Sequence, residues 1–370
     1  MECRRATKLV AVILAGVFSD GFFAQSFAEE EKVLNVYNWS DYIGENTIAE
    51  FEKEYGIQVN YDNFDNNEAL NAKMLAGNSG YDVVFPAAVY FDVEIKAGVY
   101  LPLDKKKLTN IANLNEGIVK HLSIYDPSNE HAIPYMYYTT GFTYNVDLIE
   151  SRLPNAPVET LELLFNPKIV SKFSDCGVSF FDSPVDVFQL ALIYLHKDPN
   201  SESESDLKAA AEVLKSVRPY ITKFDSSSYL NSLPTGEQCV AMSWSGDYAT
   251  ASARAKEAGT KINLAYTVPA EGSILTFDAM MIPRDAPHPD NAHLFLNYMM
   301  RPEVIAACTN FTNYANANHA ANSLVIPEIF QNPAVYPDAE TMRRMHVATT
   351  KSPGYLRMIS SYWVSIKSGQ

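Results

Sequence analysis

Two short stretches carry residue types suited to holding a cation. Tyr37-Asn38-Trp39-Ser40-Asp41-Tyr42 sets three aromatic rings beside a hydroxyl and a carboxylate. Trp244-Ser245-Gly246-Asp247 again joins a tryptophan to an aspartate, in a chain with only three tryptophans. An ammonium that leaves water needs acceptors, and carboxylates supply charge-assisted hydrogen bonds. Aromatic faces add a cation–π attraction of about 0.5–2 kcal/mol. They also cover a methylene chain, worth ~0.8 kcal/mol per buried CH₂. An aromatic slot with a carboxylate at each end therefore measures an alkyl diamine. Asp247 and Asp278 are candidates for one end, and Asp186, after a strand expected at 178–181, for the other. Taken singly, each aspartate also fits a solvated or helix-capping role, and Trp39 fits a core filler.

Motifs for other chemistries are missing. There is no G-x-S-x-G elbow, no G-x-x-x-x-G-K-[ST] phosphate loop and no G-x-G-x-x-G fingerprint. No C-x-x-C, H-E-x-x-H or Cys/His pair at zinc spacing occurs, so neither a metal nor a cofactor is expected. Asp247 and Asp278 could serve a glycosidase as a carboxylate pair, but nothing supplies the water or the sugar site.

The elements that must position these residues alternate. Strand patterns at 33–37, 57–61 and 81–85 are separated by helix patterns, one with Ile48, Phe51 and Tyr55 on a single face and Gly56 as its stop, the other at 68–76 before Gly77. Such alternation argues for a parallel α/β sheet with right-handed crossovers. The pattern changes near Pro134. Strands are then expected at 141–145, 178–181, 240–244, 262–268 and 276–282, with helices at 187–195, 207–217 and 248–258. No low-complexity linker separates the two regions, so strands should cross between two lobes and leave a cleft with a hinge. Ligands in open α/β sheets sit beyond the carboxyl ends of the strands. That rule selects 38–42, 86–90, 182–186 and 245–247.

The formal charge of −15 disfavours broad binding of nucleic acid or anionic membranes and leaves cations as partners. The apolar fraction of 47% excludes a disordered chain. Arg4, Arg5 and Lys8 precede the apolar run 9–18, and Ser26-Phe27-Ala28 fits a cleavage site, so 1–28 is expected to be an export signal. The run is too short to span a membrane. Export implies an oxidising compartment. Of the cysteines beyond that signal, Cys176 and Cys239 each sit beside an expected strand and are the preferred disulfide. Cys308, in an apolar helical stretch, reads as a buried free thiol.

The sequence resembles the periplasmic polyamine-binding proteins of ABC importers, particularly the putrescine-receptor branch. The resemblance runs along essentially the whole mature chain. It is strongest at Val36-Tyr37-Asn38-Trp39-Ser40-Asp41-Tyr42-Ile43, Tyr81-Asp82-Val83-Val84-Phe85-Pro86, Ile133-Pro134-Tyr135-Met136, Cys176-Gly177-Val178-Ser179-Phe180, Trp244-Ser245-Gly246-Asp247 and Tyr314-Ala315-Asn316-Ala317-Asn318. It implies the α/β type II periplasmic-binding-protein fold: lobe 1 from 29–136 plus 259–302, lobe 2 from 137–258 plus 303–370, and a ligand cleft between them. By the same resemblance Trp39 and Trp244 would sandwich the alkyl chain. Ser40, Asp247, Asp278 and Tyr314 would hold one ammonium, and Asp186 and Tyr42 would face the other end. Asp41 belongs to the same loop and joins the candidates, Ser226 would line the rim, and the Cys176–Cys239 pair matches a disulfide of the branch.

The resemblance further implies a monomeric periplasmic receptor that closes on a small cationic amine and docks on an ABC permease of the inner membrane, with no nucleic-acid partner and no catalysis. Three positions depart from the branch. Ala87 replaces a serine, Asp186 a longer glutamate, and Thr276 an aromatic that precedes Phe277. Ser183 stands where spermidine receptors tend to carry an acid. All of this points to an amine pocket not tuned to putrescine alone, with agmatine, cadaverine and spermidine as competitors. Alternatives on the same fold are a receptor for a non-amine solute, such as a sugar or an amino acid, and a polyamine sensor.

Overall fold

Alternating side chains make Val33–Trp39 a strand, β1. Leu34 and Val36 are buried on one face and Tyr37 on the other. The helix Thr47–Tyr55 ends at Gly56, whose φ of 65° reverses the chain into β2 (Gln58–Phe64), parallel to β1. The helix Asn67–Ala76 leads to β3 (Val83–Val84), parallel to β1 on its other side. The expected strand–helix alternation is present here. The computed structural model describes residues 30–64 and 67–369. Contacts divide the chain into Met1–Glu31 and Lys32–Gln370, and the export segment expected at 1–28 lies outside the described residues.

Within Lys32–Gln370 the remaining strands are β4 (Ala132–Asn145), β5 (Val178–Phe180), β6 (Lys223–Phe224), β7 (Val240–Trp244), β8 (Leu264–Thr267), β9 (Ser273–Met281), β10 (Ala315–Asn316) and β11 (Met345–Val347). The strand order is β2-β1-β3-β9-β4-β7-β5-β6, with β8 and β10 on β4 and β11 on β9. The long β4 joins two sheets. Its first part, to Thr139, pairs antiparallel with β9, and its second part, from Thr140, pairs antiparallel with β7. The register against β9 shifts between Pro134 and Tyr137. Pro134 has no N–H to give the ladder, so the strand accommodates it with an irregularity instead of stopping.

Each sheet has its own interior. The first is covered on both faces. Val83, Phe85, Met280 and Ile282 join one cluster, and Val84, Phe277, Ala279 and Met281 the other, as strand alternation requires. The second sheet buries Val178, Phe180, Val240 and Met242 among the helices Pro184–Tyr194, Glu204–Val217 and Pro353–Ser368. The packing differs from the lobe boundaries read from the sequence. Val304, Ile305, Ala321, Val325, Ile329 and Val335, expected in the second lobe, pack with β1 in the first. Leu264, expected in the first, packs in the second. The cause is non-local: β10 pairs with the first part of β4 and β8 with its second part.

Cys176 and Cys239 form the disulfide, with Cα atoms 5.4 Å apart. They precede β5 and β7, so the bond ties the amino ends of two neighbouring parallel strands. Cys308 is a buried free thiol.

Candidate functional site

β1 ends at Trp39, whose indole N–H donates to the Phe85 carbonyl at 3.0 Å and whose ring packs against Phe64 at 4.5 Å. The chain then turns. Asp41 takes a left-handed φ of 54°, which sends its carboxylate outward. That side chain is 84% exposed and its nearest cation is Arg254 at 4.0 Å. Ser40 is also exposed. Tyr42, after the turn, points inward. Its hydroxyl donates to Asp278 Oδ2 at 2.9 Å, and its carbonyl accepts from the Tyr135 hydroxyl at 2.7 Å.

Asp278 lies within β9, where its backbone bridges to Ala87. Only 2% of its surface is exposed, and Oδ1 has no hydrogen-bond partner among the described residues. Burial pushes this carboxyl up to about 8, although the Tyr42 and Tyr138 hydroxyls favour the charged form. Asp247 sits in the first turn of the helix Ser245–Glu257, which starts directly after β7. It accepts from the Tyr314 hydroxyl at 2.7 Å and from the Tyr229 hydroxyl. Loss of water raises it to about 6, against the pull of those two hydroxyls and of Arg254. Among the described residues, no lysine or arginine forms an ion pair with either acid.

Rings connect the two carboxylates. Tyr314 meets Tyr42 edge-on at 5.0 Å and Tyr138 edge-on at 5.5 Å. Trp244, at the end of β7, stacks on Phe181 at 4.5 Å and lies 6.1 Å from Tyr138. Trp244 packs against the interiors of both sheets. Asp186, in the first turn of the helix Pro184–Tyr194, accepts from the Ser183 hydroxyl at 2.5 Å. Burial holds the Tyr138 hydroxyl well above the usual tyrosine range, and the charges of Asp278, Asp186 and Asp247 push it in the same direction. Carboxylates from within β9, from the helix after β5 and from the helix after β7 thus all act on one tyrosine.

A family model described as bacterial extracellular solute-binding protein matches residues 46–337. The chain belongs to this family. The solute-binding protein is 43% identical over 362 residues to the putrescine-binding periplasmic protein PotF of Escherichia coli, a match that covers 96% of this chain and 98% of that one. It is 44% identical over 371 residues to the putrescine-binding periplasmic protein SpuD of Pseudomonas aeruginosa, across the full length of both. Among solved structures, a putative spermidine/putrescine ABC transporter protein of Listeria monocytogenes superposes with a TM-score of 0.82 at 28% identity. It covers 92% of this chain and all of that one. The fold is the two-lobed α/β type II periplasmic-binding architecture, with β4 as a crossing strand.

Of the residues singled out in the sequence, Tyr42, Trp244, Asp247, Asp278 and Tyr314 join one cluster through the bonds and rings above, and Asp186 acts on it through its charge on Tyr138. Trp39 borders it through Phe85, two residues before Ala87. Asp41 and Ser40 face outward. Ser226 lies at the carboxyl ends of β5 and β6, where its hydroxyl accepts from the Asp182 N–H at 3.1 Å. Tyr138 and Tyr229 were not anticipated. No local signal marks them among 22 tyrosines, and only the convergence of acids in space picks them out. No group of three or more His, Cys, Asp or Glu suited to a metal occurs among the described residues.

Proposed function

We propose that this solute-binding protein is a periplasmic receptor that encloses a short polyamine between its lobes and delivers it to an ABC importer. The observation that carries the reading is the pair Asp247 and Asp278. Both are stripped of water, both are surrounded by tyrosine hydroxyls and rings, and among the described residues no lysine or arginine forms an ion pair with either. Burying a lone carboxylate is costly. An ammonium between them supplies the missing charge and hydrogen bonds, and the rings cover its methylenes. The names of the relatives agree: PotF and SpuD are putrescine-binding periplasmic proteins.

In this reading lobe 1 comprises roughly 32–138 and 275–347 and lobe 2 the rest, as the two interiors divide. Trp39, Tyr42 and Asp278 come from the first, and Asp186, Trp244 and Asp247 from the second. Contacts from both lobes are complete only when the cleft is closed, so binding shifts the population towards closure. The closed form then docks on the permease and releases the amine chemically unchanged. The small Ala87 bridges to Asp278, and Thr276 lies opposite Tyr138 in the β4–β9 register. Both leave room for a longer chain or a guanidino head, so putrescine, cadaverine, agmatine and spermidine are the candidates. Putrescine and cadaverine differ by one methylene, which separates them by only about 1–3 kcal/mol.

A thermal-shift panel with these four amines tests the reading. Ligand at about a hundred times its Kd adds about 2.7 kcal/mol of stability. If none of the four raises the melting temperature, the protein is not a polyamine receptor. Recovery of a chemically altered amine would make it an enzyme instead.

A further inference from the structure

The first turn of the helix Ser245–Glu257 approaches Tyr314 more closely than any residue with a side chain permits. A Cβ built on Gly246 would lie 2.2 Å from Cδ2, 2.3 Å from Cε2 and 2.5 Å from Cγ of the Tyr314 ring. Real Cβ atoms essentially never come within 3.0 Å of such neighbours. The ring therefore rests directly on the helix backbone. Its hydroxyl, 2.7 Å from Asp247 Oδ1, meets the residue that follows Gly246.

Tyr314 has little space in which to retreat. Only 9% of its surface is exposed, and the rings of Tyr42 and Tyr138 abut it at 5.0 and 5.5 Å. Its backbone is held as well. Thr250, one helical turn after Gly246, donates to the Thr312 carbonyl at 3.2 Å, and Asn313 donates to the Thr250 hydroxyl at 3.3 Å. A methyl group at position 246 must push the ring off Asp247, or push the helix and its aspartate away from Tyr314. The displacement would spread to Tyr42, which hydrogen-bonds Asp278. Gly246 does not have a left-handed φ, so alanine suits the backbone and is the better helix former. The three nearest atoms to the added methyl group all belong to the Tyr314 ring, so the penalty is steric overlap with that ring.

We infer that Gly246 is a positioning residue for amine binding: its missing side chain seats Tyr314 on the helix and sets the register between the tyrosine hydroxyl and Asp247. The inference rests on the polyamine reading for its ligand, but the seating is a property of the protein alone.

The test is a cycle of four proteins: wild type, Gly246→Ala, Tyr314→Ala and the double variant. Each is titrated calorimetrically with putrescine between about pH 5 and pH 8 and melted without ligand. Gly246→Ala should weaken putrescine at least tenfold in the wild-type background and less than twofold in the Tyr314→Ala background. The Tyr314 hydroxyl helps hold Asp247 in its charged form. Loosening that bond should therefore move the acid side of the binding profile to higher pH, which general loosening of the fold would not do. Without ligand, Gly246→Ala should lower the melting temperature of the wild type and leave that of Tyr314→Ala unchanged or raised. Equal losses in both backgrounds, or wild-type affinity and an unmoved pH profile in Gly246→Ala, overturn the inference. Should the wild type bind no amine, the polyamine reading fails, and the ligand-free melting cycle still decides whether Gly246 seats Tyr314.

Discussion

Replacing Asp278 with asparagine should stabilise the empty protein and cripple the loaded one. The carboxyl titrates at about 8 in the fold and near 3.9 when unfolded. Between those values the folded chain binds more protons than the unfolded chain. The contribution of Asp278 to stability is thus fully present below about pH 4 and is lost as pH rises through about 8. Near pH 7 the wild type has given up about three pH units at 1.36 kcal/mol each, or about 4 kcal/mol at most. Asparagine does not titrate. Its amide N–H₂ faces the place where Oδ1 has no partner, which costs about 1–3 kcal/mol at every pH.

That constant cancels when two pH values are compared. From about pH 4.5 to pH 7 the stability of Asp278→Asn relative to wild type should rise by about 3 kcal/mol. At about 2.1 cal/mol/K per residue of unfolding entropy, this is a relative gain of about 4–5 °C in melting temperature. Asp247, which titrates at about 6, is present in both proteins and drops out of the difference. Scanning calorimetry without ligand across this range is the assay. With putrescine present the order reverses, because a buried ammonium left without its charged partner costs about 3 kcal/mol or more, over a hundredfold in Kd. A difference in melting temperature that stays flat with pH, or a variant whose Kd is within threefold of wild type, would refute the reasoning.

Three further outcomes are expected. Tyr42→Phe removes the hydroxyl 2.9 Å from Asp278 and should cost about 1.5–3 kcal/mol of amine affinity by calorimetry, as expected for a hydrogen bond to a charged group. Asp41→Asn should change the affinity less than threefold, since this carboxylate is exposed and its contact with Arg254 is a 4.0 Å surface pair. Replacing Cys176 and Cys239 together with serine releases a crosslink between positions 63 residues apart. Denaturant unfolding should then show a loss of about 4 kcal/mol on the loop-entropy account, with amine affinity unchanged because the site lies at the opposite, carboxyl end of β7.

The first half of the fold was legible because its signals are local. Alternating Leu34, Val36 and Tyr37, a one-faced helix and Gly56 state their geometry within a few residues. The disulfide was legible for a related reason, since its two cysteines flank strands that run side by side. The lobe assignment of 304–335 was not legible. These residues reach the first interior because β10 pairs with the first part of β4, and no local pattern announces a partner nearly 180 residues away. In the candidate site, Asp247 and Asp278 were found by residue type. Asp41 has the same type and lies between Ser40 and Tyr42, but a single left-handed φ turns it to solvent. Composition nominates an acid, while one backbone angle decides whether it is buried.

The same geometry explains why such a site is built from tyrosines. Tyr42, Tyr138, Tyr229 and Tyr314 surround the two central carboxylates, and burial and the nearby acids hold their hydroxyls protonated far above neutral pH. Tyr42, Tyr229 and Tyr314 therefore donate to the two acids without bringing a charge. A lysine or arginine in any of these places would satisfy the acids outright and leave nothing for a cationic ligand to do. Neutral donors offset only part of the desolvation, which is why Asp247 and Asp278 remain raised to about 6 and about 8 despite their hydrogen bonds. The stability withheld from the empty fold is the free energy that an entering ammonium recovers. Asp278→Asn separates those two quantities in one protein.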